Sequence, residues 1–161
     1  TARKCWGAGV RAIDTGGWGG TSWAAVESVR ADESGKAGDK KLKSLGEDFA
    51  VWGIPTLVSL AEVLATGGPV IASGGVRSGL DIAKGLAFGA DLCGMALPLL
   101  KPAMQDDEVL FEMIDTIHHE LTVAMFLTGS ARIADLRKAS LHITGRTRQM
   151  IEKDNPARIK R

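Results

Sequence analysis

No apolar run in this sequence approaches the ~20 residues that a helix needs to cross a bilayer, so no membrane span is expected. No signal-peptide pattern opens the chain. Cysteine is scarce: Cys5 and Cys93 are far apart, lack metal-ligand spacing and lie among apolar neighbours. They read as reduced, buried thiols of a cytoplasmic protein, not as a disulfide framework. Charge of either sign is nearly balanced, with a formal net of +1, which argues against a general nucleic-acid surface. The balance is uneven, however. From Arg146 to Arg161, six basic residues stand against Glu152 and Asp154, so this tail is +4 and the remainder −3. A tail of this kind reads as a solvated helix. Internal repeats of solenoid length are missing, as are paired carboxylates and Cys/His clusters that could carry acid–base or nucleophilic chemistry. No histidine precedes His118.

What is present suits one soluble α/β domain: 161 residues, 45% hydrophobic and 24% charged. The stretch Pro69–Pro98 organises the rest. Val70, Ile71 and Ala72 form an apolar run without alternation, as expected for a strand covered on both faces. Ser73-Gly74-Gly75 follows, a loop whose glycines let backbone approach a ligand. Ser78 and Asp81 have capping-box spacing and open a helix that Gly89 ends. The next strand, Asp91–Met95, leads into Gly94-Met95-Ala96-Leu97-Pro98. Free N–H groups at a glycine turn before a helix make an anion site, and Arg77 adds a cation. Two such loops at the ends of adjacent parallel strands are where (β/α)8 barrels hold phosphate.

Upstream, Thr1–Gly7 reads as the end of a helix and Val10–Asp14 as a strand. The loop Thr15–Ser22 holds four glycines in eight residues, more than a minimal turn requires. It is expected to wrap a ligand, with Thr21 and Ser22 offering hydroxyls before a helix Trp23–Val29. The charged segment 30–43 is expected to be a solvated excursion. Helices are expected at Leu45–Trp52 and Thr56–Ala65, then a short connection after Pro98. A long helix from Asp106 carries a core stripe of Leu110, Met113, Ile114, Ile117, Leu121, Ala124 and Met125, and Gly129 ends it. His118 and His119 lie off this stripe, about 100° apart, and so form no metal clamp. Ser130 is expected to cap a helix Ala131–Lys138, followed by an extended Leu141–Ile143 and a last helix Arg146–Lys153. His142 has no partner that spacing identifies. Only three strands appear, whereas a closed barrel of this kind needs eight.

The segments Ala12–Trp23, Trp52–Thr56, Ser73–Asp81, Gly94–Pro98 and Met125–Ser130 occur in the order and spacing of one family. Together they resemble the type 2 isopentenyl-diphosphate isomerases, along essentially the whole chain. The resemblance implies a partial TIM (β/α)8 barrel comprising about the sixth to eighth strands of an FMN-binding domain. Residues 1–161 would be its C-terminal part, with 130–161 a helical tail. It implies interconversion of isopentenyl and dimethylallyl diphosphate, with reduced FMN as proton carrier, NADPH or another reductant, and Mg2+. Carried over by position, Thr21, Gly74, Gly75, Val76, Arg77, Gly94, Met95, Ala96 and Leu97 would bind FMN. Gly16 stands where many relatives have a serine. Residues contacting diphosphate and Mg2+ have no matching positions here, so catalysis is expected to need groups outside this chain. The implied partners are a small diphosphate substrate and the remainder of the barrel or further copies, in a homo-oligomer. Two alternatives remain: another FMN barrel oxidoreductase, which the absence of a histidine after the first strand disfavours, and a non-catalytic phosphate-binding barrel fragment.

Overall fold

The computed structural model describes residues 1–34 and 39–154. At its centre is a parallel three-stranded sheet in the order β1 (Ile13–Asp14), β2 (Val70–Ala72), β3 (Leu92–Cys93). Ile13 pairs with Val70, Asp14 and Leu92 both with Ile71, and Cys93 with Ala72. The outer strands are shorter than the sequence suggests. β1 has a partner only on its β2 side, and that partner starts at Val70, which leaves Val10–Ala12 without a ladder. The helices are α1 (Ala2–Gly7), α2 (Trp23–Ser34), α3 (Asp39–Asp48), α4 (Thr56–Leu64), α5 (Gly79–Phe88), α6 (Leu97–Gln105), α7 (Asp107–Leu127), α8 (Ile133–Leu136) and α9 (Gly145–Asp154).

Helices cover one face of the sheet. Val70 and Ala72 are buried there with Leu60 of α4 and Ala90, joined by Leu57, Phe88 and Cys93. Ile71 points the other way and is only partly buried, and its neighbour Leu92 is 61% exposed. The expectation of a strand covered on both faces is therefore corrected: burial alternates along β2. An apolar run records what a strand tolerates, whereas cover depends on which elements pack against it. Val58 and Ala61 bury against Ile151 of α9, while Ala83 and Leu86 of α5 bury against Leu136. The stripe on α7 turns inward as its spacing requires, with Ile117 buried and Leu121, Ala124 and Met125 packed on the α5–α8 cluster.

The caps explain the helix ends. Ser78 Oγ accepts the Asp81 N–H at 3.1 Å, and Asp106 Oδ1 accepts the Val109 N–H at 2.9 Å. Glu120 of α7 accepts the Gly79 N–H at 2.6 Å, fixing the start of α5 on the neighbouring helix. Cys5 and Cys93 are free and partly buried, and burial pushes the Cys93 thiol up to about 11.

Four local readings change. The charged segment is not an open excursion, because α2 continues to Ser34 and α3 begins at Asp39. Small residues let these helices touch: a Cβ on Gly46 would lie 2.5 Å from Ala24 O, and Ser28 Oγ donates to Lys43 O at 3.0 Å. Lys43 also bridges to Asp32 at 2.8 Å, so close packing and cross-helix polar contacts offset the shortage of apolar side chains. Residues 35–38, within that segment, and Arg158, Lys160 and Arg161 of the basic tail lie outside the described residues. Second, α3 stops at Asp48, so the helix expected at Leu45–Trp52 is displaced towards the N-terminus. Third, the connection after Pro98 is helical, with Pro98 in the first turn, where a missing N–H costs nothing. Last, Arg132, not Ser130, is the N-cap of α8; its N–H reaches Asp135 Oδ2 at 3.1 Å, and Ser130 is buried beside Thr128.

The loops after β1 and β2 interlock through bare backbone. Gly74 has φ +97°, and a Cβ there would lie 1.9 Å from Gly17 O. At Gly75, φ +79°, it would lie 2.2 Å from Gly19 O. The Gly17 N–H donates to Ser73 O at 2.9 Å, while Thr56 Oγ1 donates to Gly74 O at 2.5 Å and so ties α4 to both loops.

Two outcomes follow. Gly74→Ala adds a methyl where no space exists and strains a left-handed backbone, so stability falls by about 3 kcal/mol or more. Urea denaturation checks this, and an unchanged midpoint would contradict the interlock. Asp91 accepts the Val70 N–H at 2.9 Å and Arg137 Nη2 at 2.7 Å. These hold its carboxyl below the ordinary 3.8, the Val70 N–H more than Arg137. A depressed folded value gives stability that is present above the unfolded value and lost as pH falls through the folded one. Asp91→Ala is therefore expected to cost about 1 kcal/mol at neutral pH, discounted for partial exposure. The difference from the unmodified chain should vanish in acid denaturation series.

Candidate functional site

Loops 15–22, 73–78 and 94–98 leave the C-terminal ends of β1, β2 and β3 and enclose a pocket of about 490 Å³. All nine residues expected to hold a ligand line it: Thr21, Gly74, Gly75, Val76, Arg77, Gly94, Met95, Ala96 and Leu97. They come from three loops separated by up to 76 positions in sequence, and parallel pairing of the strands brings them together.

The donor set suits an anion. Among the described residues, the backbone N–H groups of Gly75, Val76, Met95, Ala96 and Leu97 make no hydrogen bond. The Arg77 side chain is exposed and forms no ion pair with a described carboxylate. Its own N–H instead donates to Asp81 Oδ2 at 3.2 Å, which bends the chain from loop into α5. Unpaired amides beside a guanidinium at a helix entrance provide phosphate-type coordination.

The structure adds Asp14, which sequence reasoning passed over, and further members of the expected loops. Asp14, Ser73, Gly17, Gly20 and Pro98 also line the pocket, with Trp23, 74% exposed, as one wall. Asp14 Oδ1 accepts the Gly16 N–H at 2.9 Å and also the Ser73 hydroxyl. Strand alternation held the signal: Ile13 packs inward, so Asp14 must face the opposite side. Among the described residues, Asp14 and Arg77 are the only ionisable side chains lining the pocket.

The glycines of loop 15–22 do more than border the pocket, which Gly16, Gly17 and Gly20 line. A Cβ on Gly17 would lie 2.3 Å from Thr56 Cα, on Gly19 3.2 Å from Gly74 O, and on Gly20 2.7 Å from Gly75 N. Only Gly16 has open space where its Cβ would be. Gly17, Gly19 and Gly20 therefore also serve close packing, against the start of α4 and the loop after β2.

His118 and His119 are exposed on α7, and His119 Nδ1 lies 3.0 Å from Asp115 O. His142 is exposed, and none of the three histidines lines the pocket. Among the described residues, no group of three or more His, Cys, Asp or Glu could hold a metal, and no helix is long and apolar enough to cross a membrane.

The isopentenyl-diphosphate delta-isomerase of Methanoregula boonei is 69% identical over 97% of this chain and 43% of its own length. Those of Methanothrix thermoacetophila and Halobacterium salinarum are 46% and 43% identical, each over 94% of this chain and 42% and 41% of their own lengths. The chain thus spans about two-fifths of the relatives it matches. A family model described as FMN-dependent dehydrogenase matches residues 2–143, a span that contains all three strands and every pocket residue. The chain belongs to the FMN-dependent dehydrogenase family.

Proposed function

We propose that this chain builds the phosphate-holding side of an FMN-dependent isomerase that interconverts isopentenyl and dimethylallyl diphosphate. The observation carrying this reading is the meeting of three glycine loops, with their unpaired amides and Arg77, in one pocket. Relatives named isopentenyl-diphosphate delta-isomerase support the choice of reaction. The fit to FMN rests on the donor set, on a volume within the usual range for small-ligand sites, and on the absence of side chains at Gly16 and Gly94.

In this reading β1, β2 and β3 are the sixth to eighth strands of a (β/α)8 barrel. Residues 1–161 are the C-terminal part of one FMN-binding domain. Gly74–Arg77 and Met95–Leu97 hold the phosphate, Gly94 leaves room for the cofactor beside Asp14, and the Thr21 hydroxyl bonds to the cofactor from the third loop. Reduced FMN supplies an acid–base centre for moving a proton, with NADPH or another reductant keeping it reduced. Trp23 limits water at the pocket wall, and Arg77 neutralises the phosphate charge. The diphosphate substrate and Mg2+ are held by residues outside this chain, from the rest of the barrel or further copies in a cytoplasmic homo-oligomer.

Flavin titration of the whole polypeptide that carries this chain tests the reading. Arg77→Ala is expected to weaken FMN roughly tenfold and to leave riboflavin, which lacks the phosphate, unchanged. Equal loss for both flavins would remove Arg77 from the phosphate site. The 161-residue chain alone is expected to convert no isopentenyl diphosphate; turnover above a protein-free blank would show that its own groups suffice.

A further inference from the structure

The floor of the pocket has an anionic group that the phosphate reading does not use. Asp14 shares the uncovered face of the sheet with Ile71 and Leu92, its register partners across the strands. Backbone pairing continues one level higher: Thr15 N–H reaches Ile71 O at 3.0 Å, Gly17 N–H reaches Ser73 O at 2.9 Å, and Gly94 N–H reaches Ala72 O at 2.9 Å. By alternation, the next positions on that face are Gly16, Ser73 and Gly94. Two of the three have no side chain, so the Asp14 carboxylate is open to the pocket from below. A Cβ on Gly16 would meet nothing within 4 Å, and one on Gly94 would lie 3.4 Å from Ser73 Cβ and 3.8 Å from Asp14 Oδ2.

The two carboxylate oxygens have different surroundings. Oδ1 already accepts the Gly16 N–H and the Ser73 hydroxyl. Oδ2 has no hydrogen-bond partner among the described residues and borders the gap at Gly94. An ionised carboxylate accepts only, so the group that completes it must be a donor. FMN carries hydroxyl donors on the polyol chain between its phosphate and its ring. With the phosphate on the amides of the loops above, that chain is the part that passes the strand ends. We infer that Asp14 Oδ2 accepts a hydrogen bond from a polyol hydroxyl of bound flavin. The inference rests on the flavin reading of this pocket and adds a contact on the side away from the phosphate.

Asp14→Asn separates this contact from a purely structural tie. The amide oxygen can still accept from Gly16 and Ser73, so the loops stay joined and the ligand-free melting temperature should be unchanged. The amide, however, replaces a charge-assisted hydrogen bond with a weaker neutral one, whichever partner donates. Titration of the whole polypeptide should then show FMN and riboflavin both weakened, by the same factor of roughly ten. Gly94→Ala provides a second line should Asp14→Asn fold poorly. Its methyl makes only ordinary contacts in the protein but fills the gap, and should weaken both flavins at unchanged stability. A folded Asp14→Asn with unaltered affinity for both flavins would reduce Asp14 to a loop tie and overturn the inference. Loss confined to FMN would also overturn it, by moving the contact to the phosphate. If the unmodified protein binds neither flavin, the flavin reading itself fails.

Discussion

The contact on which the rest depends is backbone against backbone: the carbonyls of Gly17 and Gly19 lie where side chains on Gly74 and Gly75 would be. Neither loop could hold its shape alone, since each has several positions open to the left-handed region. Packed together, they limit one another. Thr56 locks the pair by donating to Gly74 O, while its own N–H reaches Trp18 O at 3.2 Å. The start of α4, the end of β1 and the end of β2 thereby become one rigid corner. Gly75 and Val76, whose amides are unpaired among the described residues, line the pocket at that corner, so the phosphate-type donor set depends on a contact that involves no ligand.

The pocket divides its two charges between two tasks. Arg77 lies on the loop that enters α5, beside unpaired amides, where a dianion gains most from a fork of donors. Asp14 lies at a strand end below that level, engaged on one oxygen by Gly16 and Ser73. A carboxylate among the phosphate amides would repel an anion, whereas at the floor, in the proposed reading, it would meet the uncharged, hydroxyl-bearing part of a flavin. Alternation along β1 enforces the separation.

Much of this was legible in the sequence. The order of glycine loops, Arg77, the Ser78 cap and the stripe on α7 are local patterns with local causes, and each lies where its spacing indicates. What failed depended on contacts between distant segments. The charged residues 30–34 are helical because Ser28 and Gly46 allow α3 to approach α2, and no window around residue 30 contains that information. Glycines 17, 19 and 20 have a second task, packing on Thr56, Gly74 and Gly75, that sequence does not reveal, since it shows that a side chain is missing without showing what occupies its place. Asp14 was passed over for a similar reason, since a short strand hides its period and the importance of the residue lies in its register against Ile71.

The same face of the sheet raises the question of stability and that of function. Leu92 is 61% exposed and Ile71 only partly covered, while β1 and β3 each have one unpaired edge among the described residues. Apolar side chains and open ladders of this kind favour association with further strands. Closing a barrel over this face would bury Ile71 and Leu92, and it would remove bulk water from around Asp14 on the same side. Hydrogen bonds to its carboxylate would then act in a lower dielectric, where a satisfied charge holds its partner more firmly and an unsatisfied one costs more. Cover and ligand are therefore coupled. Whatever completes the sheet makes Oδ2 of Asp14 expensive to leave without a donor, and a hydroxyl-bearing cofactor supplies one.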